Sequence, residues 1–349
     1  MNTLGRLEDL PADYLQALRE RNLVPLWPSL RAVLPPGLPA RQTRATAWAY
    51  ADIRPLLLRA GELTPIEKAE RRVLVLANPG HTLEKMQASA AIYLGMQLLL
   101  PGEWAPAHRH TPNAVRMVVE GEGAWTTVDG ERCPMSRGDL ILTPTGLWHE
   151  HGHEGEQPVI WLDVLDLPLA FYLEVSYHVN GARQAVKPGQ GHRAYARGGL
   201  RPTPAFGPGE RRYPMLRYPW ADTRAALQSL AVDLPLSAPV QLSYVNPQTG
   251  EDAENILGLH ALMLRPGERL SLAARSPATV FHVIEGAAEV QVGEGAAAQG
   301  FVLSQADTCC VPGYEPVSLH NRQAQDPSFL FVADESPLHR KLGVLEVRD

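Results

Sequence analysis

Three histidines carry the densest chemical signal in this chain. His108 and His110 end the run Gly102-Glu103-Trp104-Ala105-Pro106-Ala107-His108-Arg109-His110. His149 ends a second run, Gly138-Asp139-Leu140-Ile141-Leu142-Thr143-Pro144-Thr145-Gly146-Leu147-Trp148-His149. Side chains two residues apart on a strand leave the same face, so His108 and His110 project together. His149 comes from a later strand and can close the face of a metal ion. An isolated His-x-His pair is weak evidence, since most such pairs sit on surface strands. The two-part pattern is far more specific, because its glycines set strand-end turns and Pro144-x-Gly146 makes the tight approach that aims His149 inward. Three imidazoles accept Fe, Zn, Mn, Ni or Cu.

The elements that must position these side chains are mostly strands. Residues 72–76, 93–100, 114–120, 123–128, 139–143 and 158–165 read as strands. Turn markers separate them, among them Pro101-Gly102, Asp129-Gly130 and Arg137-Gly138. This is the text of an antiparallel barrel or jelly roll. The apolar spacing of residues 8–34 and 48–61 predicts helices, as does that of residues 222–231. Gly189-Gln190-Gly191 and the Gly/Pro-rich stretch 196–209 read as a crossing segment, and strands resume at Val240.

The second half repeats the first. Residues 97–121 align without a gap to residues 262–286, with nine of 25 positions identical. Pro101-Gly102-Glu103 matches Pro266-Gly267-Glu268, and Asp139…Pro144 matches Asp307…Pro312 at a shifted offset. The copies part where metal chemistry would lie: Ala273, Arg275 and Val317 stand opposite His108, His110 and His149. The expected organisation is an N-terminal helical segment (1–70), a metal-binding barrel (71–170), a linker with a helix (171–239), a degenerate barrel (240–335) and a tail (336–349). The fold class is all-β dominated, two jelly-roll β-barrels with N-terminal and linker helices.

Composition excludes other classes. The chain has 349 residues, 45% hydrophobic and 20% charged, the balance of a soluble globular protein with room for two domains. A formal net charge of −6 gives no basic face for nucleic acid. There is no apolar run long enough for a membrane span and no apolar leader at the N-terminus. Three cysteines, Cys133, Cys309 and Cys310, cannot form a paired disulfide framework and fit a reducing, cytoplasmic setting.

The two histidine motifs are similar to those of the cupin superfamily. From about residue 10 to 335 the chain resembles the bicupin gentisate 1,2-dioxygenase group, which includes salicylate and hydroxynaphthoate ring-cleaving relatives. The resemblance rests on Arg54-Pro55-Leu56-Leu57-Leu58-Arg59-Ala60-Gly61, Ala69-Glu70-Arg71-Arg72, Ala77-Asn78-Pro79-Gly80, Leu99-Leu100-Pro101-Gly102-Glu103, Ala107-His108-Arg109-His110 and Trp161-Leu162-Asp163. Many cupins carry a glutamate four or five residues after the second histidine; Ala114 and Val115 stand there instead. That departure argues against oxalate decarboxylase or germin-like manganese enzymes and agrees with a group that uses three histidines only. It implies one Fe(II) per chain in the N-terminal barrel.

Three neutral imidazoles leave a divalent ion at +2 with three open positions. A substrate with a carboxylate and an ortho phenolate supplies two negative charges and leaves a position for dioxygen. The resemblance implies insertion of oxygen between the carboxylate-bearing and hydroxyl-bearing ring carbons. Gentisate, giving maleylpyruvate, is the leading substrate. Salicylate, a 5-substituted salicylate including 5-nitrosalicylate, and hydroxynaphthoate are alternatives. It also implies a homo-oligomer, a tetramer.

Position by position, the resemblance makes Arg116 the partner of the substrate carboxylate through its bidentate fork. Gln97 is a donor to that carboxylate or to bound oxygen. His151, on the face of His149, is a hydrogen-bond partner and proton shuttle. Asp163, inward on an apolar strand, needs a partner; it orients a ligand histidine or contacts a ring substituent. Arg72 is a pocket residue or half of a structural ion pair. Tyr93 and Gly95 share a strand face with Gln97. Gly95 there either widens the pocket for a ring carrying something other than a 5-hydroxyl or marks a plain β-bulge. The rivals from other classes are a cupin isomerase or Zn-type hydrolase, and a non-catalytic metal-binding cupin such as a ligand sensor.

Overall fold

The computed structural model describes residues 5–189, 191–203 and 212–348. Two compact units divide the chain, Met1–Gln42 and Thr43–Asp349. The first holds α1 (Ala12–Glu20) and α2 (Leu30–Val33), neither with a buried residue. Pro25 and Pro28 lie between them, where the missing amide and fixed φ of proline interrupt a helix. The helical reading of 8–34, interrupted at Pro25 and Pro28, takes the form of two short helices.

The second unit opens with β1 (Thr46–Trp48), α3 (Tyr50–Leu63) and α4 (Ile66–Ala69). The N-terminal barrel follows: β2 (Arg72–Val75), β3 (Tyr93–Leu99), β4 (Trp104–His110), β5 (Ala114–Glu120), β6 (Ala124–Val128), β7 (Glu131–Pro134), β8 (Leu140–Thr143), β9 (His149–His153) and β10 (Val159–Leu165). Then come α5 (Leu167–Tyr172), β11 (His178–Asn180), α6 (Gly191–Ala194), β12 (Arg217–Tyr218) and α7 (Trp220–Asp233). The C-terminal barrel comprises β13 (Val240–Ser243), β14 (Gly258–Leu264), β15 (Arg269–Leu272), β16 (Ala274–Arg275), β17 (Thr279–Glu285), β18 (Ala288–Val292), β19 (Gln299–Leu303), β20 (Thr308–Val311), β21 (Val317–His320) and β22 (Ser328–Asp334). It ends in α8 (Ser336–Leu342) and β23 (Val347–Arg348), which pairs with β16, so residues 336–348 are folded chain, not a loose tail. Part of the expected crossing segment, residue 190 and residues 204–209, lies outside the described residues. No helix among the described residues is long and apolar enough to cross a membrane.

The duplication is visible strand by strand. One large sheet runs β12-β8-β5-β10-β3-β2 and the other β1-β20-β17-β22-β14-β13, the same order in each copy. Even the irregularity is shared. Pairing of β5 with β10 skips Val119, and pairing of β17 with β22 skips Ile284, its counterpart. A bulge kept at one register position in both copies is a designed bend in the sheet.

The terminal strands are exchanged. β1 precedes the N-terminal barrel but pairs with β20 of the C-terminal one; β12 precedes the C-terminal barrel but pairs with β8 of the N-terminal one. Neither α3 nor α7 has a capping side chain of its own. The Tyr50 amide instead donates to Asp307 Oδ1 (2.7 Å) and the Trp220 amide to Asp139 Oδ1 (2.8 Å). These two aspartates occupy equivalent positions in the repeat. Each barrel thus satisfies an orphan helix N–H that belongs to the other.

The two interiors differ. In the C-terminal barrel, Leu262, Phe281, Val317, Leu319, Leu330 and Val332 are buried in one apolar cluster. By the repeat they replace Gln97, Arg116, His149, His151, Trp161 and Asp163. A close-packed apolar plug fills the space that the other barrel lines with polar side chains.

Candidate metal and substrate site

The site lies between the two sheets of the N-terminal barrel. β4 and β9 are neighbours, with His108 directly opposite His149. Ring centroids are 4.0 Å apart for His108 and His149, 4.7 Å for His110 and His149 and 5.4 Å for His108 and His110. One ligand atom from each ring falls within 4.8 Å of the others. Their tautomers follow from backbone contacts. His110 Nδ1 lies 2.7 Å from Pro112 O, and His149 Nδ1 lies 3.0 Å from Leu147 O. A carbonyl only accepts, so each Nδ1 carries the proton and each Nε2 keeps a lone pair. His149 Nε2 is fully buried with no partner. Burial pushes His110 down to about 4 and His108 to about 2, the latter also through Arg71, and holds His149 well below the ordinary histidine value. Three neutral rings with inward lone pairs fit a divalent cation.

His108 Nδ1 has two neighbours, Pro106 O at 3.2 Å and the guanidinium of Arg71. One nitrogen cannot donate to the first and accept from the second. Ligation through Nε2 requires the Pro106 bond, which leaves the Arg71 guanidinium for an anion. Arg71 follows Glu70, a non-glycine residue at φ 53°, and its pKa is lowered to about 10 by burial and Arg116. It stays charged at neutral pH.

The opposite sheet supplies the other polar groups. Gln97 faces Trp161, Gly95 faces Asp163, and Asp163 faces Arg116 across paired strands, so all five share one face. Arg116 Nε lies 3.3 Å from Asp163 Oδ1, an ion pair too skewed to be a hydrogen bond, and Nη1 donates to Thr143. Burial raises Asp163 to about 6, with Arg116 opposing. His151 Nδ1 is 2.9 Å from Thr126 Oγ1, and its ring centroid lies 5.2 Å from that of Trp161. That leaves Gln97 Nε2, His151 Nε2 and His149 Nε2 buried without partners in one chamber.

Arg72, expected as a pocket residue or as half of a structural ion pair, is the latter and does not join this group. It pairs with Leu98 on β3, one step out of phase with Gln97, forms an ion pair with Glu103 and donates to Gly61 O. The pocket arginine is its neighbour Arg71, which the sequence reading passed over. The space beside Gly95 is not open either. A Cβ there would meet Val73 Cγ1 at 2.5 Å and the Tyr93 hydroxyl at 2.7 Å, so the glycine lets Tyr93 fold across the strand instead of widening the pocket. Thr126 and Thr143, which hold His151 and Arg116, were also missed; a lone threonine on a strand gives no signal.

Two jelly-roll barrels, the first with a three-histidine chamber that could hold a metal ion, define a bicupin. A cupin domain model matches residues 95–165. The chain is 71% identical over 345 residues to a gentisate 1,2-dioxygenase from Ralstonia sp, covering 99% of this chain and 96% of that one. It is 34% identical to a gentisate 1,2-dioxygenase from Streptomyces sp, covering 97% and 94%. It matches the structure of salicylate 1,2-dioxygenase from Pseudoaminobacter salicylatoxidans, an adduct with gentisate, with a TM-score of 0.89 at 32% identity, covering 97% and 94%. The chain belongs to the gentisate 1,2-dioxygenase family of ring-cleaving dioxygenases, oxidoreductases that incorporate both atoms of dioxygen.

Proposed function

We propose that this enzyme cleaves gentisate between the ring carbons bearing the carboxylate and the adjacent hydroxyl, giving maleylpyruvate, with one Fe(II) held by His108, His110 and His149. The observation that carries this reading is the set of partnerless buried nitrogens around the trio. Buried polar groups are nearly always bonded, so a cluster of exceptions is what a substrate rich in oxygen atoms would satisfy. Bound iron would supply a Lewis-acid anchor for an anionic chelate and the electron chemistry that dioxygen requires.

The chain does the rest. Arg71 and Arg116 face the substrate carboxylate with two positive charges, and Asp163 with Thr143 fixes the Arg116 fork. Gln97 Nε2 donates to a substrate oxygen. His151 Nε2 meets the phenolic oxygen; a ring this averse to charge relays a proton instead of storing it. The 71% identical relative supports gentisate over the salicylates and hydroxynaphthoate.

Exposed Phe171, Tyr172, Leu173, Val175 and Tyr177 form an apolar run that supports a homo-oligomer, read here as a tetramer. Three free, buried cysteines support a cytoplasmic setting.

The test is oxygen uptake and absorbance of the ring-opened product after anaerobic Fe(II) loading, on a panel of gentisate, salicylate, 5-aminosalicylate, 5-nitrosalicylate and 1-hydroxy-2-naphthoate. Gentisate should be turned over with the highest kcat/KM, and only with iron. Equal or better turnover of another ring rejects the substrate assignment; uptake without iron, or with none of these rings, rejects the chemistry.

A further inference from the structure

The two stretches that carry the three histidines are fastened together by one buried side chain. Asn113 follows His110 by three residues and is 6% exposed. Its Oδ1 accepts from the Thr145 amide at 3.1 Å, in the turn that leads to His149. Its Nδ2 donates to Asp166 Oδ2 at 2.7 Å, and its backbone N–H to Asp166 Oδ1 at 2.7 Å. Asp166 is equally buried. Between Asn113 and His110 lies Pro112, whose carbonyl fixes the His110 ring. One amide therefore sets the loop that orients His110 and the loop that delivers His149, and a carboxylate holds that amide in place.

The second barrel is a natural control. It keeps the backbone half of this arrangement: the Ala278 amide donates to Glu335 Oε2 at 3.0 Å, as the Asn113 amide does to Asp166. It also keeps the loop contact, with Tyr314 N–H donating to Arg275 O at 2.5 Å where Gly146 N–H donates to His110 O at 2.9 Å. What it lacks is the side-chain bridge, because alanine stands at the Asn113 position. The bonds that serve the fold survive in both copies. The side-chain bridge added to that backbone contact is present only where the ligands are.

We propose that Asn113, locked by Asp166, is a positioning residue for the metal centre, setting how long the three-histidine site retains its iron. This rests on His108, His110 and His149 being the metal site and not on the choice of substrate. The measurement is transfer of Fe(II) from loaded enzyme to a ferrous chelator, which reads retention without turnover. N113A should release iron about 10- to 100-fold faster than wild type, as loss of an outer partner does elsewhere. Its metal-free form should also melt somewhat lower, since Asp166 Oδ2 and the Thr145 amide lose a partner, so release is measured well below that melting temperature. N113D should also release iron fast, since it sets a second carboxylate against Asp166. N113D/D166N restores one amide and one carboxylate in swapped places and should return release to near the wild-type rate. Should N113A not fold, the comparison of N113D with N113D/D166N decides. Wild-type release from N113A, or a double variant as leaky as N113D, overturns the assignment; a wild-type protein that retains no iron overturns it together with the site.

Discussion

The amide of Tyr50 donates to the carboxylate of Asp307 across 257 residues of chain, so the helix that opens one barrel is capped by the other. Asp139 does the same for Trp220, and each aspartate also accepts from the amide three residues before it, Ser136 or Ser304; Asp139 has more to hold because it accepts from Arg217 as well. Replacing Asp307 by alanine should remove a helix cap, about 0.5–2 kcal/mol. Replacing Asp139 should cost more, because it also strands the largely buried Arg217. Urea unfolding of the two variants checks this; Asp307→Ala proving the more damaging would mean that the two caps are not equivalent.

That exchange could not be read from the residues. β1 is three residues long and β12 two, too short for any alternation to register, and their partners lie far along the chain. The long strands were legible because their apolar faces and turn glycines repeat, and Ala114–Glu120 is found where expected. The histidine trio was legible for a similar reason: alternation fixes which side chains share a face. The same rule failed at Arg71. It precedes the first residue of β2 and follows the positive φ of Glu70, so no strand period extends to it. Arg72, the first residue inside the strand, obeys the period and points to the other face.

The two adjacent arginines should therefore behave oppositely. Arg71→Met removes a charge from the chamber and should raise KM for gentisate at least about tenfold, the order expected for one charge-assisted hydrogen bond, with the melting temperature nearly unchanged. Arg72→Met leaves Glu103 without its cationic partner, with the Leu100 amide still donating to it, and should lower the melting temperature while KM holds. Steady-state kinetics beside thermal unfolding separates them. A large KM effect in the Arg72 variant would favour its other expected role, that of a pocket residue.

Gly95 makes a steric prediction. Its missing Cβ is where Val73 and the Tyr93 hydroxyl come together, so Gly95→Ala should be overpacked by about 1–3 kcal/mol. Adding Val73→Ala should relieve most of that loss, because the 2.5 Å contact is with Val73 Cγ1. Differential scanning calorimetry of the single and double variants tests this. An undisturbed single variant would show that Tyr93 readily moves aside and that the strand does have room.

Asp163 should set a pH dependence whose sign differs between stability and activity. Burial raises its folded-state pKa from 3.8 to about 6. Between those values the folded protein holds a proton that the unfolded chain releases, so ∂ΔG/∂pH is negative. Stability from this group is full below about pH 4 and is lost as pH rises through about 6, on the order of 2–3 kcal/mol. Metal-free wild type should lose stability relative to Asp163→Asn across that window in urea titrations. On the role proposed for Arg116, catalysis should run the other way, because only the ionised carboxylate would hold that guanidinium against the substrate. Loaded iron adds positive charge to the chamber and pulls the carboxyl lower, so kcat/KM for gentisate should fall only below about pH 6. The asparagine variant should be weak at every pH and lack that limb. An acid limb of unchanged midpoint in Asp163→Asn would assign the titration to another group and leave the Arg116 pair a purely structural contact.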